Sequence, residues 1–247
     1  MARLWIDRDL VGQQLSNFFD KNKQDLSHFG NTVNQTFEAF VFATVVKWYA
    51  NNGWKVEFKH PKSNKNRVSL KFSTRGRPNN YTYVLCSKDN EKIQIRHQIR
   101  VATRAHLAGQ VPPANVVLDI AVIDNQDLRK FSTDDYIDNA ALITFAEAKH
   151  MSAFAELVAN FIGLAHELKP EVLGPVRLRV GGITSPDHPA PFLYVSGYLY
   201  PTAAGLINTM KDRGYDIDVW DYQTGVYLGT KLPVIPARKR NSMQKLR

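Results

Sequence analysis

Leu142-Ile143-Thr144-Phe145-Ala146-Glu147-Ala148-Lys149-His150 is an apolar segment that turns polar at its carboxyl end. Its apolar run predicts a β-strand, and because strand side chains alternate between two faces, Glu147 and Lys149 are predicted to share one face. A second apolar segment, 113–123, carries one acid, Asp119. Buried strands rarely contain acids without a functional reason. Two acids and a lysine meeting at a sheet edge suit metal-assisted phosphodiester cleavage, since acids hold a hard cation and the lysine can position water.

A helix is predicted upstream of these strands, over residues 32–51, and Asn51-Asn52-Gly53 is a typical end for it. Its apolar residues fall on one arc at 100° per residue. These residues are Phe37, Phe40, Val41, Thr44, Val45 and Trp48. Glu38 lies on the flank of this arc, so we expect it to border the core.

A β-hairpin is predicted from segments 81–86 and 93–101, with its turn at Asp89-Asn90. It follows a predicted strand over residues 54–60 and a basic stretch that contains Arg75 and Arg77. The second hairpin strand is predicted to place Arg96, Gln98 and Arg100 on one face. The four arginines could contact a phosphate backbone, and a solvated hairpin face without a ligand is an equally weighted alternative.

The remaining segments predict alternating helices and strands. They are a helix over 152–168 with Ser152 as its cap, a strand over 192–200, a helix over 202–213 and a strand over 216–220. Strands and helices in this order predict an α/β fold with a mixed sheet and helices on both faces. We expect a helical lead-in over residues 1–30, one domain over 31–235 with an inserted hairpin and a C-terminal helix-strand extension, and a basic tail over 236–247.

Composition narrows the functional classes. The chain has 247 residues, 44% of them hydrophobic, which is enough for one sizeable core. Its formal net charge of +9 favours a polyanionic partner, with nucleic acid as the leading candidate and an idle positive charge as the alternative. A single cysteine, Cys86, excludes an intrachain disulfide. Because the sequence shows neither an apolar run of membrane length nor a signal-peptide core, we expect a cytoplasmic protein.

The element order and four polar residues resemble the PD-(D/E)XK nuclease superfamily, which has the restriction-endonuclease-like fold. Glu38 matches the glutamate that the family often carries on its first helix, and Asp119 matches the aspartate of its second strand. Glu147 and Lys149 match the ExK triplet of its third strand. Leu118 stands where the family has proline, and the separation between the two acidic strand positions is long for the family.

The resemblance covers roughly residues 31–200 and implies a Mg²⁺-dependent nuclease in which Mn²⁺ can substitute. It implies that Asp119, Glu147 and the main-chain carbonyl of Ala148 bind the metal, and that Glu38 completes a second site or holds a metal-bound water. Lys149 would stabilise the attacking water or the charge that develops on the phosphate. DNA is expected ahead of RNA, a homodimer would supply a site for each strand, and a defence or restriction role fits the family.

Other interpretations remain open from the sequence. The chain could be a nucleic-acid-binding module of the same fold without activity, or a protein-assembly factor whose acids bind no metal. Glu147 and Lys149 could form a surface salt bridge, Asp119 could cap a turn, and Glu38 could be solvated. The tyrosines are expected to pack in the core or on the sheet and not to stack on bases. These are Tyr81, Tyr83, Tyr194, Tyr198 and Tyr200.

Overall fold

Seven β-strands form one sheet in the computed structural model, which describes residues 33–61, 68–73, 75–104, 114–174 and 188–222. The predicted lead-in and basic tail lie outside these residues. The strands are β1 (Lys55–Lys59), β2 (Tyr83–Lys88), β3 (Glu91–Ala102), β4 (Asn115–Asp124), β5 (Leu142–Lys149), β6 (Phe192–Val195) and β7 (Asp218–Asp221). The helices are α1 (Val33–Asn51), α2 (Ala155–Leu168) and α3 (Pro201–Asp212).

The strands follow one another across the sheet in chain order. Each neighbouring pair from β1 to β5 is antiparallel, whereas β6 is parallel to β5 and β7 is parallel to β6. The two parallel steps need crossover connections, and α2 and α3 lie in those connections. The prediction of an α/β fold with a mixed sheet is therefore confirmed.

The predicted hairpin exists and belongs to the sheet. β2 and β3 turn at Asp89-Asn90, and Asp89 adopts the left-handed backbone with φ of 52°. These strands are second and third in the sheet, because β3 also pairs with β4 from Ile93 to Ala102. Both hairpin strands therefore have a neighbouring strand on each side.

Helices cover both faces of the sheet, as predicted. One core cluster packs α1, through residues such as Phe40 and Val45, against Ile95 and Ile120 of the sheet. The other packs α2 and α3 against the opposite face, where Leu193 and other strand residues lie. None of the described helices is long and apolar enough to cross a membrane.

The two largest differences between predicted and observed boundaries occur at one contact between two segments of the chain. β6 ends at Val195, and α2 begins at Ala155 without a side-chain cap from Ser152. The Ser152 hydroxyl instead accepts a hydrogen bond from the Tyr198 amide at 3.3 Å. A Cβ on Gly197 would lie 2.3 Å from Ser152 Oγ, so glycine permits the close approach of these two segments.

Candidate active site

The alternation of side chains is interrupted on two neighbouring strands at one level of the sheet. Ile95 packs in the α1 cluster, whereas Ile99 packs in the opposite cluster, although regular alternation would place them on the same face. The reversal occurs at Gln98, whose φ is 50°. On β4, Leu118 and Ile120 likewise pack in different clusters, with Asp119 between them.

Gln98 and Asp119 lie opposite each other at this interruption, because the flanking residues pair His97 with Ile120 and Ile99 with Leu118. A left-handed backbone at a residue other than glycine costs on the order of 1 kcal/mol and occurs more often at functional sites than elsewhere. The interruption therefore marks this level of the sheet as a candidate site.

Asp119, Glu147 and Lys149 meet in this part of the sheet, as the sequence predicted. Lys149 Nζ lies 2.8 Å from Asp119 Oδ2 and 2.8 Å from Glu147 Oε2. Asp119 Oδ2 also accepts a hydrogen bond from the Ala148 amide at 3.0 Å, and Glu147 Oε1 accepts one from the Asp119 amide at 3.3 Å. Both acids are buried, so the interpretations as a surface salt bridge and as a turn cap are not supported.

Gln98 joins the helix glutamate to this group. Its Nε2 donates to Glu38 Oε2 at 3.0 Å and to Asp119 Oδ1 at 3.0 Å. Glu38 therefore reaches the site from α1 through an amide, and its side chain is 17% exposed, which contradicts the solvated alternative. We call Glu38, Gln98, Asp119, Glu147 and Lys149 the acid cluster.

His97 lies beside Glu38. The ring Nδ1 donates to the main-chain carbonyl of Lys71, which fixes Nε2 toward the acid. Nε2 lies 3.2 Å from Glu38 Oε2 but out of line for a hydrogen bond. Sequence reasoning missed the roles of both His97 and Gln98. The signal available was a run of polar residues within an otherwise apolar strand.

Burial and charge oppose each other within the acid cluster. Burial and the charge of Asp119 raise the pKa of Glu147 to about 8. Burial alone would lower the pKa of Lys149, but the charges of Glu147 and Asp119 outweigh it and raise this pKa. The single ammonium thus lies between two carboxylates, and a further cation would favour the ionised form of Glu147.

The acid cluster offers oxygen ligands of the kind that Mg²⁺ and Mn²⁺ prefer. The possible metal ligands are the carboxylates of Asp119 and Glu147 and the main-chain carbonyl of Ala148, which lies on β5 beside Glu147. Glu38 is linked to Asp119 through Gln98. Among the residues described, no group of three or more histidine, cysteine, aspartate or glutamate side chains is already arranged around a metal position. The donor set fits a hard cation, on the condition that Lys149 leaves its position between the acids.

The prediction that Arg96, Gln98 and Arg100 share a face was wrong. The reversal at Gln98 places Arg96 and Arg100 on opposite faces of β3. Arg96 is buried, stacks 4.0 Å from the Tyr83 ring centroid and donates to Gln94 Oε1 at 2.8 Å. Burial lowers the pKa of its guanidinium to about 10.

The other predicted phosphate contacts are more accessible. Arg100 is half-buried and donates to Asn115 Oδ1 at 3.2 Å. Arg75 and Arg77 are both exposed, and both lie in the loop before the short 3₁₀ turn Pro78–Asn80. These three arginines remain candidates for nucleic-acid contact.

No protein-family model, curated protein or solved structure matches this chain. The chemistry of the acid cluster therefore rests on the residues of this chain and their contacts.

Proposed function

We propose that this protein is a metal-dependent nuclease that hydrolyses phosphodiester bonds, with DNA favoured over RNA. The observation that carries the proposal is that Asp119 and Glu147, two buried acids from neighbouring strands, converge on one lysine. A purely structural ion pair needs one acid for one base, and the second buried acid raises the electrostatic cost. A cation bound here would favour ionisation of Glu147 and so supply the charge that balances the second acid.

The sheet supports the proposed relation to the restriction-endonuclease-like fold. β3, β4 and β5 are antiparallel neighbours, α2 follows β5, and β6 then pairs parallel to β5. α1 packs on one face and brings Glu38 to Gln98 of β3, which also donates to Asp119. The resemblance implies a core of one helix, three strands, one helix and one strand, which α1, β3–β5, α2 and β6 would supply, with β1 and β2 as additional strands after α1.

Each residue of the acid cluster has a role in the proposed reaction. Asp119, Glu147 and the Ala148 carbonyl would hold Mg²⁺ or Mn²⁺, which supplies Lewis-acid stabilisation of negative charge on the phosphate. Glu38 would accept a hydrogen bond from the attacking water, and Gln98 would orient Glu38 toward Asp119. In the reaction, the water oxygen bonds to phosphorus, and the bond from phosphorus to the leaving oxygen breaks as that oxygen takes a proton. Lys149 would stabilise the negative charge that develops during this step.

A second candidate function is an inactive nucleic-acid-binding module. It is favoured by the fact that all four carboxylate oxygens of Asp119 and Glu147 have protein partners without a metal. In that case Lys149 stays between the two acids, and the acid cluster binds no metal.

The proposal is tested by incubating the protein with plasmid DNA, linear DNA and RNA, with Mg²⁺ and with a chelator. The nuclease proposal predicts Mg²⁺-dependent cleavage of DNA at a higher rate than RNA. Binding to DNA without cleavage under any metal condition would favour the inactive module and overturn the proposal.

A further inference from the structure

Exposed apolar side chains concentrate beside the end of β5. Five large apolar side chains are exposed among the residues that the structure describes, and four of them lie in two short segments, 151–154 and 198–200. These four are Met151, Phe154, Tyr198 and Tyr200, and we call them the aromatic patch. The fifth, Phe58, lies on β1 at the opposite end of the strand order.

Main-chain hydrogen bonds hold the two segments of the aromatic patch together. The Ala153 amide donates to Tyr198 O at 2.9 Å, and the Tyr200 amide donates to Ala153 O at 2.9 Å. The Gly197 amide donates to Met151 O at 3.1 Å. The patch therefore has a fixed backbone, although it lies between regular elements.

Tyr198 and Tyr200 form a pair that faces solvent. Their relative exposures are 42% and 41%, whereas Tyr194 on β6 is buried, as expected for a packing residue. The ring centroids lie 4.8 Å apart with 64° between the ring planes, and the Tyr198 hydroxyl donates to that of Tyr200 at 3.0 Å. Two exposed rings fixed against each other leave aromatic surface open to a flat partner.

Main-chain hydrogen bonds connect the aromatic patch to Lys149 of the acid cluster. Met151 and Ser196 both donate their amides to the carbonyl of Lys149, at 2.9 Å and 3.1 Å. Tyr198 follows Ser196 by two residues, so its Cα lies within about 15 Å of that of Lys149, given the length of the chain between them. A strand whose phosphate lay at the acid cluster would bring its next few bases to the patch.

We propose that the aromatic patch is a stacking surface for unpaired bases, so that the substrate is a single strand or an unpaired segment of nucleic acid. This inference rests on the proposed nuclease function. Base faces within a duplex are covered by their neighbours, whereas unpaired bases can stack on exposed aromatic rings. The net charge of +9 suits the accompanying backbone.

The test measures binding without cleavage, in a chelator, of one labelled oligonucleotide as a single strand and as a duplex. Replacing both tyrosines with alanine, Tyr198→Ala with Tyr200→Ala, should weaken single-strand binding by about tenfold or more and change duplex binding far less. The paired Tyr198→Phe and Tyr200→Phe changes keep both rings and should retain the affinity. Phe58→Ala is the matched control, because it removes an exposed ring distant from the acid cluster.

Several outcomes would overturn the inference. Equal loss of single-strand and duplex affinity in the alanine variant would do so, as would an unchanged single-strand affinity. If the tyrosine variants alter the oligomeric state measured by light scattering and leave affinity unchanged, the patch is a contact between copies. Should the alanine variant not fold, photocrosslinking of a halogenated strand to the wild-type protein decides, because crosslinks confined to other regions contradict stacking.

The nuclease proposal is assessed separately, by cleavage in Mg²⁺. If the protein cleaves DNA but the tyrosine-to-alanine changes leave single-strand affinity unchanged, only the proposal that the aromatic patch stacks on bases is rejected. If single-strand binding depends on the two tyrosines but no cleavage occurs in Mg²⁺, only the nuclease proposal is rejected.

Discussion

Two polar clusters each include one residue of α1, Glu38 in the first and Tyr49 in the second, and their electrostatics differ. In the first, the acid cluster, the side chains of Asp119 and Glu147 share one lysine. In the second, His188 lies 2.9 Å from the Tyr49 hydroxyl through Nδ1 and 3.1 Å from Glu91 Oε1 through Nε2. The Trp54 and His188 ring centroids lie 5.5 Å apart. We call Tyr49, Trp54, Glu91 and His188 the tyrosine-histidine cluster.

The difference separates a stabilising network from a functional one. In the tyrosine-histidine cluster each ring nitrogen of His188 has a partner, and burial raises the pKa of Tyr49, which keeps its hydroxyl neutral. In the acid cluster burial opposes ionisation of Glu147. Polar groups arranged at a cost to stability are typical of sites selected for chemistry. Substitutions should therefore reduce stability in one cluster and activity in the other.

The largest effect is expected from neutralising an acid. Asp119→Asn or Glu147→Gln should lower the rate of Mg²⁺-dependent cleavage by about a hundredfold to a thousandfold, because each removes a charged metal ligand while keeping its size. Thermal stability should change little, since two buried acids repel each other in the metal-free protein. Initial rates on labelled DNA and melting curves measure both quantities, and wild-type rates in either variant would reject the site.

Lys149 should affect chemistry more than binding. Lys149→Ala is expected to leave nucleic-acid affinity within a few-fold and to lower the cleavage rate by on the order of a hundredfold, the effect of removing one preorganised charge. Lys149→Arg should not restore the rate, because a planar guanidinium does not replace a compact ammonium. Single-turnover rates at saturating protein separate the two effects. A variant that binds weakly but cuts normally when saturated would contradict this role.

In the tyrosine-histidine cluster, a substitution is expected to lower stability and to leave activity unchanged. Tyr49→Phe removes the hydroxyl that contacts His188 Nδ1 and leaves that buried nitrogen without this partner, so the free energy of unfolding should fall by about 1–2 kcal/mol. The cleavage rate per folded molecule should stay at the wild-type value. Urea unfolding monitored by circular dichroism gives the stability change. A loss of activity without a loss of stability would remove the distinction between the two clusters.

The smallest effects are expected at the basic surface. Arg75→Gln with Arg77→Gln should weaken DNA binding and flatten the log-log dependence of affinity on salt, by about 0.9 for each phosphate that the variant no longer neutralises. Arg96→Gln should instead lower stability and leave that slope unchanged, because Arg96 is buried against Tyr83. Titrations at several salt concentrations measure the slope. An unchanged slope in the double variant would place the nucleic-acid surface elsewhere.

Strand periodicity was sufficient to predict the centre of the site. Glu147 and Lys149 are two residues apart on an apolar strand, so alternation alone places them together, and their shared face is confirmed by the 2.8 Å contact. The helical period of 3.6 residues in the apolar positions was sufficient to predict α1 and to place Glu38 at the border of the core. The mixed sheet followed from the order of the elements, because helices between the last strands favour parallel pairing.

Alternation failed where the backbone leaves the regular strand conformation. The positive φ of Gln98 moves Arg100 to the other face from Arg96 and turns Gln98 toward Glu38 and Asp119. Glutamine has no local preference that announces such a conformation, so the surrounding tertiary contacts select it. The exposed tyrosine pair was missed for a related reason. β6 stops at Val195, and the close contact of Gly197 with Ser152 redirects the chain.

The central claim, that the acid cluster binds a divalent cation, is tested most directly by calorimetric titration of Mn²⁺ into the metal-free protein. We expect saturable binding in the wild type, loss of that binding in Asp119→Asn, and retention in Tyr49→Phe, whose substitution lies in the other cluster. No saturable binding in the wild type, or the same isotherm in Asp119→Asn, would contradict the assignment.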